Sequence, residues 1–150
     1  MKIRRATPDD TKALVDLDRK VWSCFDGTHI WRLWTEFSTV LVASKNETIL
    51  GAVVLIRTDQ KNLTLLHKIF VNPCAQKHGI GRALMAEATK NLDNRNQDCL
   101  LTTGRKDLLA FYGGYGFLLK KTEPSYYLPE KHDNGDRFVL TRQCYTPNKS

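Results

Sequence analysis

The sequence predicts a mixed α/β fold built around one sheet. Segments with helical and with strand periodicity alternate through the middle of the chain, and the carboxyl-terminal part is rich in strand. No repeat, low-complexity tract or Pro/Gly-rich linker interrupts the 150 residues, and a 41% hydrophobic content can fill a sizeable core. A single domain over 1–150 is therefore expected, with only the tail from Thr146 to Ser150 reading as frayed.

Ile3 to Ala6 reads as a short strand. Thr7-Pro8-Asp9-Asp10 opens a helix, because Thr7 can cap it, Pro8 fits its first turn and the two acids suit its positive end. Ala13, Leu14, Leu17 and Val21 form its apolar face. Trp22 to Ser38 holds all three tryptophans in a second, irregular helical region, where the aromatic spacing favours core over binding surface. Thr39 to Ala43 and Ile49 to Arg57 are β-branched strands around a Lys45-Asn46-Glu47 turn, and Leu63 to Val71 is a further strand. Pro73 stops it, and Gly79 to Leu92 follows as a helix with Ile80, Leu84, Ala88 and Leu92 on one face. Asn94 to Asp98 makes a polar turn, Cys99 to Thr103 a buried strand and Asp107 to Tyr115 a short helix. Strands Phe117 to Tyr127 and Arg137 to Cys144 then flank a loop containing Pro129 and Gly135.

The four cysteines are widely spaced and form neither a CxxC pair nor a zinc-type cluster, so they read as incidental thiols and no metal is expected. The amino terminus runs straight into polar residues and no later stretch could span a bilayer, which points to a cytoplasmic, reducing compartment with no membrane partner. A net charge of +7 attracts anions, but Lys and Arg are scattered, which favours a solvated basic surface over a dedicated nucleic-acid face.

The segment from Val71 to Leu84, VNPCAQKHGIGRAL, joins strand to helix and carries the most chemical information. Gly79 and Gly81 let the backbone approach a ligand, and the first-turn N–H groups of the helix face the loop with the positive end of the dipole, as an anion cradle requires. A dinucleotide fingerprint would need a third glycine at Leu84, and a P-loop would need Lys then Ser or Thr where Arg82-Ala83 stand. The remaining pattern resembles the acetyl-CoA pyrophosphate loop of the GNAT superfamily, [Q/R]-x-x-G-x-[G/A], through Gln76, Gly79 and Gly81. The preceding Lys68 to Pro73 is similar to that family's splayed fourth strand. Asp107 to Phe117 resembles its F-Y-x-x-x-G-F signature, and Ile3 to Val21 its opening strand and helix.

The resemblance implies a mixed, mostly antiparallel sheet flanked by helices, and acetyl-CoA as acyl-donor cosubstrate. It implies cofactor contacts from Ile69, Phe70, Val71, Gln76, Lys77, His78, Gly79, Ile80, Gly81, Arg82, Ala83 and Arg105, although Arg105 stands where many members have Asn. It also implies direct attack of a neutral amine on the thioester in a ternary complex. A backbone N–H near Phe70 or Val71 would stabilise the oxyanion, and Tyr112 would protonate the leaving thiolate. Members often use a Glu on the fourth strand as base. Leu63 to Val71 has no carboxylate, which leaves His67 as its candidate, equally readable as a structural histidine sharing a face with Leu65, Ile69 and Val71. His29, Asp26 and Glu36 are weaker candidates. Gly113-Gly114 fall inside the expected Asp107 to Tyr115 helix, at about 1 kcal/mol each.

The acceptor is expected to be an amine-bearing small molecule or peptide, with Trp22, Phe25, Tyr126 and Tyr127 as its candidate contacts. The tail with its Tyr126-Tyr127 pair is similar to that of protein N-terminal acetyltransferases of the ribosomal-protein-alanine kind, which makes a protein amino terminus the alternative acceptor. Two further classes of function compatible with the sequence are a tRNA-acetylating toxin and a non-catalytic acyl-CoA-binding module. The final strands and the aromatic region are candidate surfaces for a homodimer.

Overall fold

The computed structural model describes residues 1–22, 26–124 and 136–146. Its strands are β1 (Lys2–Arg5), β2 (Thr39–Lys45), β3 (Thr48–Arg57), β4 (Leu63–Val71), β5 (Asp98–Thr103), β6 (Leu118–Pro124) and β7 (Asp136–Arg142). Its helices are α1 (Thr11–Val21), α2 (Thr28–Phe37), α3 (Ile80–Asn94) and α4 (Leu109–Gly113). The strands form one seven-stranded sheet in the order β1-β2-β3-β4-β5-β7-β6. Pairing is antiparallel for β1–β2, β2–β3, β5–β7 and β6–β7, and parallel for β4–β5. The expected mixed α/β class with a mostly antiparallel sheet is what the chain forms. The chain divides into two compact units: Met1–Arg57 with Leu66–Asn91, and Thr58–Leu65 with the chain from Leu92 onward.

In the first unit, period-two alternation sets the two faces of the sheet. Val40 lies opposite Val54 and Val42 opposite Ala52, and these four share a core with Leu14, Val15 and Leu17 of α1 and Trp31 of α2. Leu41, Ala43, Val53 and Leu55 are buried as well, so β2 reads as a continuous apolar run because both its faces are covered. Gly51 of β3 is the point of closest approach. A Cβ there would lie 2.8 Å from the Phe70 carbonyl oxygen and 3.2 and 3.3 Å from the side chains of Leu84 and Ile80.

The first helix differs from expectation at its start. A 3-10 turn over Pro8–Asp10 precedes α1. Thr7 is the N-cap of that turn, as expected, and the Asp10 carboxylate completes a capping box by accepting the Thr7 N–H at 2.9 Å while also accepting from both Arg4 guanidinium nitrogens at 2.8 and 2.9 Å. That guanidinium holds the Asp10 carboxyl below the usual carboxylate range.

In the second unit, Leu101, Val139, Leu140, Tyr112 and Phe117 are buried, and Thr64 Oγ1 donates to Gln97 Oε1 at 2.9 Å. Arg142 donates to both Asp93 oxygens at 2.9 and 3.0 Å and to the Tyr115 carbonyl at 2.7 Å. Its side chain lies against Gly116, whose φ of +92° suits glycine. β7 ends at Arg142, short of the expected Cys144, because the next amides leave the ladder: Cys144 N–H goes to Asp98 and Tyr145 N–H to Asp93, each at 2.8 Å. Phe117, expected in the following strand, turns into the core instead.

Gly51→Ala is expected to lower unfolding free energy by about 1–3 kcal/mol, because the colliding atom is a backbone carbonyl. Gly113→Ala, where a Cβ meets nothing within 4 Å, should be neutral or slightly stabilising. Urea denaturation of the two variants beside wild type checks the contrast.

Candidate active site

The cradle is built where β4 ends. Asn72 N–H bonds the Leu50 carbonyl at 2.7 Å, and Asn72 Oδ1 accepts the Cys74 N–H at 3.0 Å, so the chain turns sharply through a 3-10 turn over Pro73–Ala75. Lys77 at φ +70° and Gly79 at φ +77° then curl the loop through left-handed conformations. The first bond of α3 runs from Ala83 N–H to the Gly79 carbonyl at 3.0 Å. The N–H groups of Ile80 and Gly81 therefore precede the helical ladder. Gln76, Lys77, His78 and Arg82 are exposed around this turn, and nothing lies within 4 Å of a Cβ built on Gly79. Ile80 is buried, so its side chain roots the helix and only its backbone can face a ligand.

Backbone alternation sorts the strand candidates. The Phe70 carbonyl and the Asn72 N–H both face β3, so the N–H groups of Ile69 and Val71 point to the other edge of β4. Of the two expected oxyanion donors, Phe70 and Val71, the Val71 N–H is the one that lies on that edge. Phe70 is a core residue whose ring meets Trp31 at 5.9 Å.

In the second unit, Tyr112 sits near the end of α4, buried between Phe111 and Phe117 at ring separations of 5.3 and 6.1 Å. Burial raises its phenol pKa above the ordinary value, with Arg105 opposing. Gly113 and Gly114 do not interrupt the helix as expected; they finish it, where glycine is tolerated, and a 3-10 turn over Lys106–Leu108 precedes it. Arg105 is exposed and paired with Asp107 at 2.6 and 3.2 Å, so a neighbour two residues away already engages the guanidinium.

An ionic and aromatic cluster lies in the first unit. Lys68 Nζ is 3.0 and 3.1 Å from the Asp18 oxygens and 2.8 Å from Asp26 Oδ2. The rings of Trp22, Trp31, Trp34 and Phe70 surround it at 5.7–6.0 Å. Trp31 Nε1 and the Asp26 N–H also donate to Asp18, at 2.8 and 3.0 Å. Of the expected acceptor contacts, Trp22 is exposed at the rim of this cluster, whereas Phe25, Tyr126 and Tyr127 lie outside the described residues.

The family model described as acetyltransferase (GNAT) domain matches residues 36–118. The chain belongs to the GNAT acetyltransferase family. As a GNAT acetyltransferase it is an acyltransferase, and its fold resembles three solved structures. The ribosomal-protein-S18-alanine N-acetyltransferase of Escherichia coli superposes with a TM-score of 0.83 at 17% identity, covering 99% of this chain and 98% of that one. The ribosomal-protein-alanine N-acetyltransferase of Brucella melitensis gives 0.79 at 19% identity, covering 95% and 99%. Arabidopsis thaliana Naa50 in complex with the bisubstrate analogue CoA-Ac-MVNAL gives 0.78 at 14% identity, covering 95% and 97%. Comparison with curated proteins finds no match. Among the described residues, no helix of this GNAT acetyltransferase is long and apolar enough to cross a membrane.

Sequence reasoning missed Asp18 and Lys68. Asp18 falls four residues after Leu14 and three before Val21, inside the apolar stripe of α1, and a charge on that face was the available signal. His67, next to Lys68, is exposed, yet its ring is tilted against Trp34 at 4.9 Å. Its pKa is lowered by burial of the ring and then by Lys68, with Asp26 and Asp18 opposing. A histidine depressed in this way contributes stability that is complete above its unfolded pKa and is lost as pH falls through the lower folded value. An NMR titration of the His67 ring should give a midpoint below about 6.5, the value of a free histidine.

Proposed function

We propose that this GNAT acetyltransferase transfers an acetyl group from acetyl-CoA to a primary amine by direct attack in a ternary complex, with 1–150 acting as one catalytic domain. The observation that carries the reading is the turn between β4 and α3. It presents left-handed backbone at Lys77 and Gly79, open space over Gly79, and helix N–H groups ahead of the first intrahelical bond. That geometry fits a pyrophosphate. Lys77 and Arg82 supply positive charge beside it, while Gln76, His78, Gly81 and Ala83 complete the turn.

Bound acetyl-CoA supplies the activated acyl group as a thioester. The Val71 N–H, directed away from β3, is the preferred donor to the carbonyl oxygen, with Ile69 second on the same edge. Tyr112 holds a proton for the departing sulfur, and its burial keeps the phenol protonated at neutral pH. His67, held neutral by its lowered pKa, accepts a proton from the incoming amine. Arg105 has weaker support as a cofactor contact, because Asp107 engages it.

The fold neighbours favour the α-amine of a protein amino terminus as acceptor. Two are named for acetylation of ribosomal-protein alanine, and a third is bound to a peptide–CoA analogue. On this reading Trp22, with Phe25, Tyr126 and Tyr127, contacts the peptide.

Calorimetric titration with acetyl-CoA tests the cradle. Wild type should bind, while Gly79→Glu and Gly81→Glu should lose binding through added bulk and negative charge; Gly79→Ala separates backbone strain from charge. A folded wild type that binds neither acetyl-CoA nor CoA would sink the proposal. Tyr112→Phe should retain acetyl-CoA affinity but lower kcat by about 100-fold or more. Release of free thiol, measured with a primary-amine and peptide panel, gives that rate.

A further inference from the structure

Lys68 stands on β4 with its side chain only 12% exposed. Replacing a whole buried ion pair by apolar groups is often neutral or stabilising, so the presence of the pair is not by itself evidence of a stabilising role. The cluster around it is graded. Asp18 is fully buried and closed off by Trp31, the Asp26 amide and Lys68, whereas Asp26 is 34% exposed and Trp22 41% exposed. The open end therefore presents a carboxylate and an aromatic face, both set by one ammonium: Lys68 Nζ is 2.8 Å from Asp26 and 6.0 Å from the Trp22 ring centre. One ammonium against two carboxylates leaves a single negative charge, on a chain whose net charge is +7. A protonated amine repelled by the surface at large meets an attractive group there.

We propose that Lys68 is a positioning residue for the acceptor side of the transfer, acting through Asp26, which receives the arriving amine beside Trp22. This rests on the acetyl-transfer reading above. Asp26 is tied twice, by its backbone N–H to Asp18 at 3.0 Å and by its carboxylate to Lys68. Such a group loses little further freedom when a ligand binds. Ammonium recognition by a carboxylate and an indole face is a pairing these side chains can make. Lys68 itself need not touch the acceptor; its effect is to keep Asp26 and Trp22 where the acceptor meets them.

Lys68→Met, Lys68→Arg, Asp26→Asn and the double variant Lys68→Met with Asp26→Asn test this. The acceptor probes are an alanine-initiated pentapeptide with a free amino terminus and 1-butylamine; thiol release gives the rate and calorimetry the acetyl-CoA affinity. Lys68→Met and Asp26→Asn should raise the acceptor KM about tenfold or more, with acetyl-CoA Kd within about twofold of wild type. Lys68→Arg should recover part of the loss. The double variant should be little worse than the poorer single one, since both changes act through one carboxylate. Asp26→Asn leaves the Lys68–Asp18 pair in place and decides the matter alone if Lys68→Met does not fold. Unchanged KM in these variants, losses that multiply in the double variant, or acetyl-CoA affinity falling in step with KM would overturn the proposal while leaving acetyl transfer standing. A wild type that binds acetyl-CoA and turns over neither probe would overturn the amine-transfer reading and this proposal together.

Discussion

Asp18 is a carboxylate without access to water, and in the first unit much else is arranged around satisfying it. An ionised carboxylate removed from solvent must be met by donors and by an opposite charge. Here the donors come from separate places: the Trp31 indole from α2, the Asp26 amide from the residues before α2, and the Lys68 ammonium from β4. One side chain of α1 thereby ties down both its neighbouring helix and a strand 50 residues further along. Breaking such a tie from one side would strand a buried charge, at a cost of about 3–5 kcal/mol.

The same strand carries that order to its own end at Val71. With Phe70 packed on Trp31 and Asn72 bonded to Leu50, the direction of the intervening Val71 amide is not free to vary. Gly51, by lacking a side chain, lets Phe70, Ile80 and Leu84 close in together, so the first turn of α3 is seated by packing. The N–H groups ahead of α3 are main-chain amides held by a core. For that reason the motif shows itself in the sequence as glycines and a proline, and only secondarily as charged side chains.

Local physics was therefore the legible part. β-Branched runs, the Pro73 stop and the fourfold spacing of Ile80, Leu84, Ala88 and Leu92 all appear where they read, and Gly79 adopts the positive φ that its place suggests. Part of what could not be read depended on long-range meetings. The strand lacks a carboxylate of its own, but carboxylates reach it from Asp18 and Asp26, an encounter that periodicity does not encode. Other features were local but depended on side-chain geometry: Asp107, two residues away, engages Arg105, and Arg4 anchors the Asp10 carboxylate of the capping box. Gly113 and Gly114 read as liabilities in a helix that in fact ends on them.

The aromatic side chains are partitioned in a way that has practical weight. All three tryptophans of the chain, Trp22, Trp31 and Trp34, surround the Lys68 ammonium in the first unit, while all five tyrosines, Tyr112, Tyr115, Tyr126, Tyr127 and Tyr145, fall in the portion from Leu92 onward. Indole emission, excited at the red edge where phenols do not absorb, is thus a private reporter of the ionic cluster, so that loosening of the first unit can be watched without attaching a label.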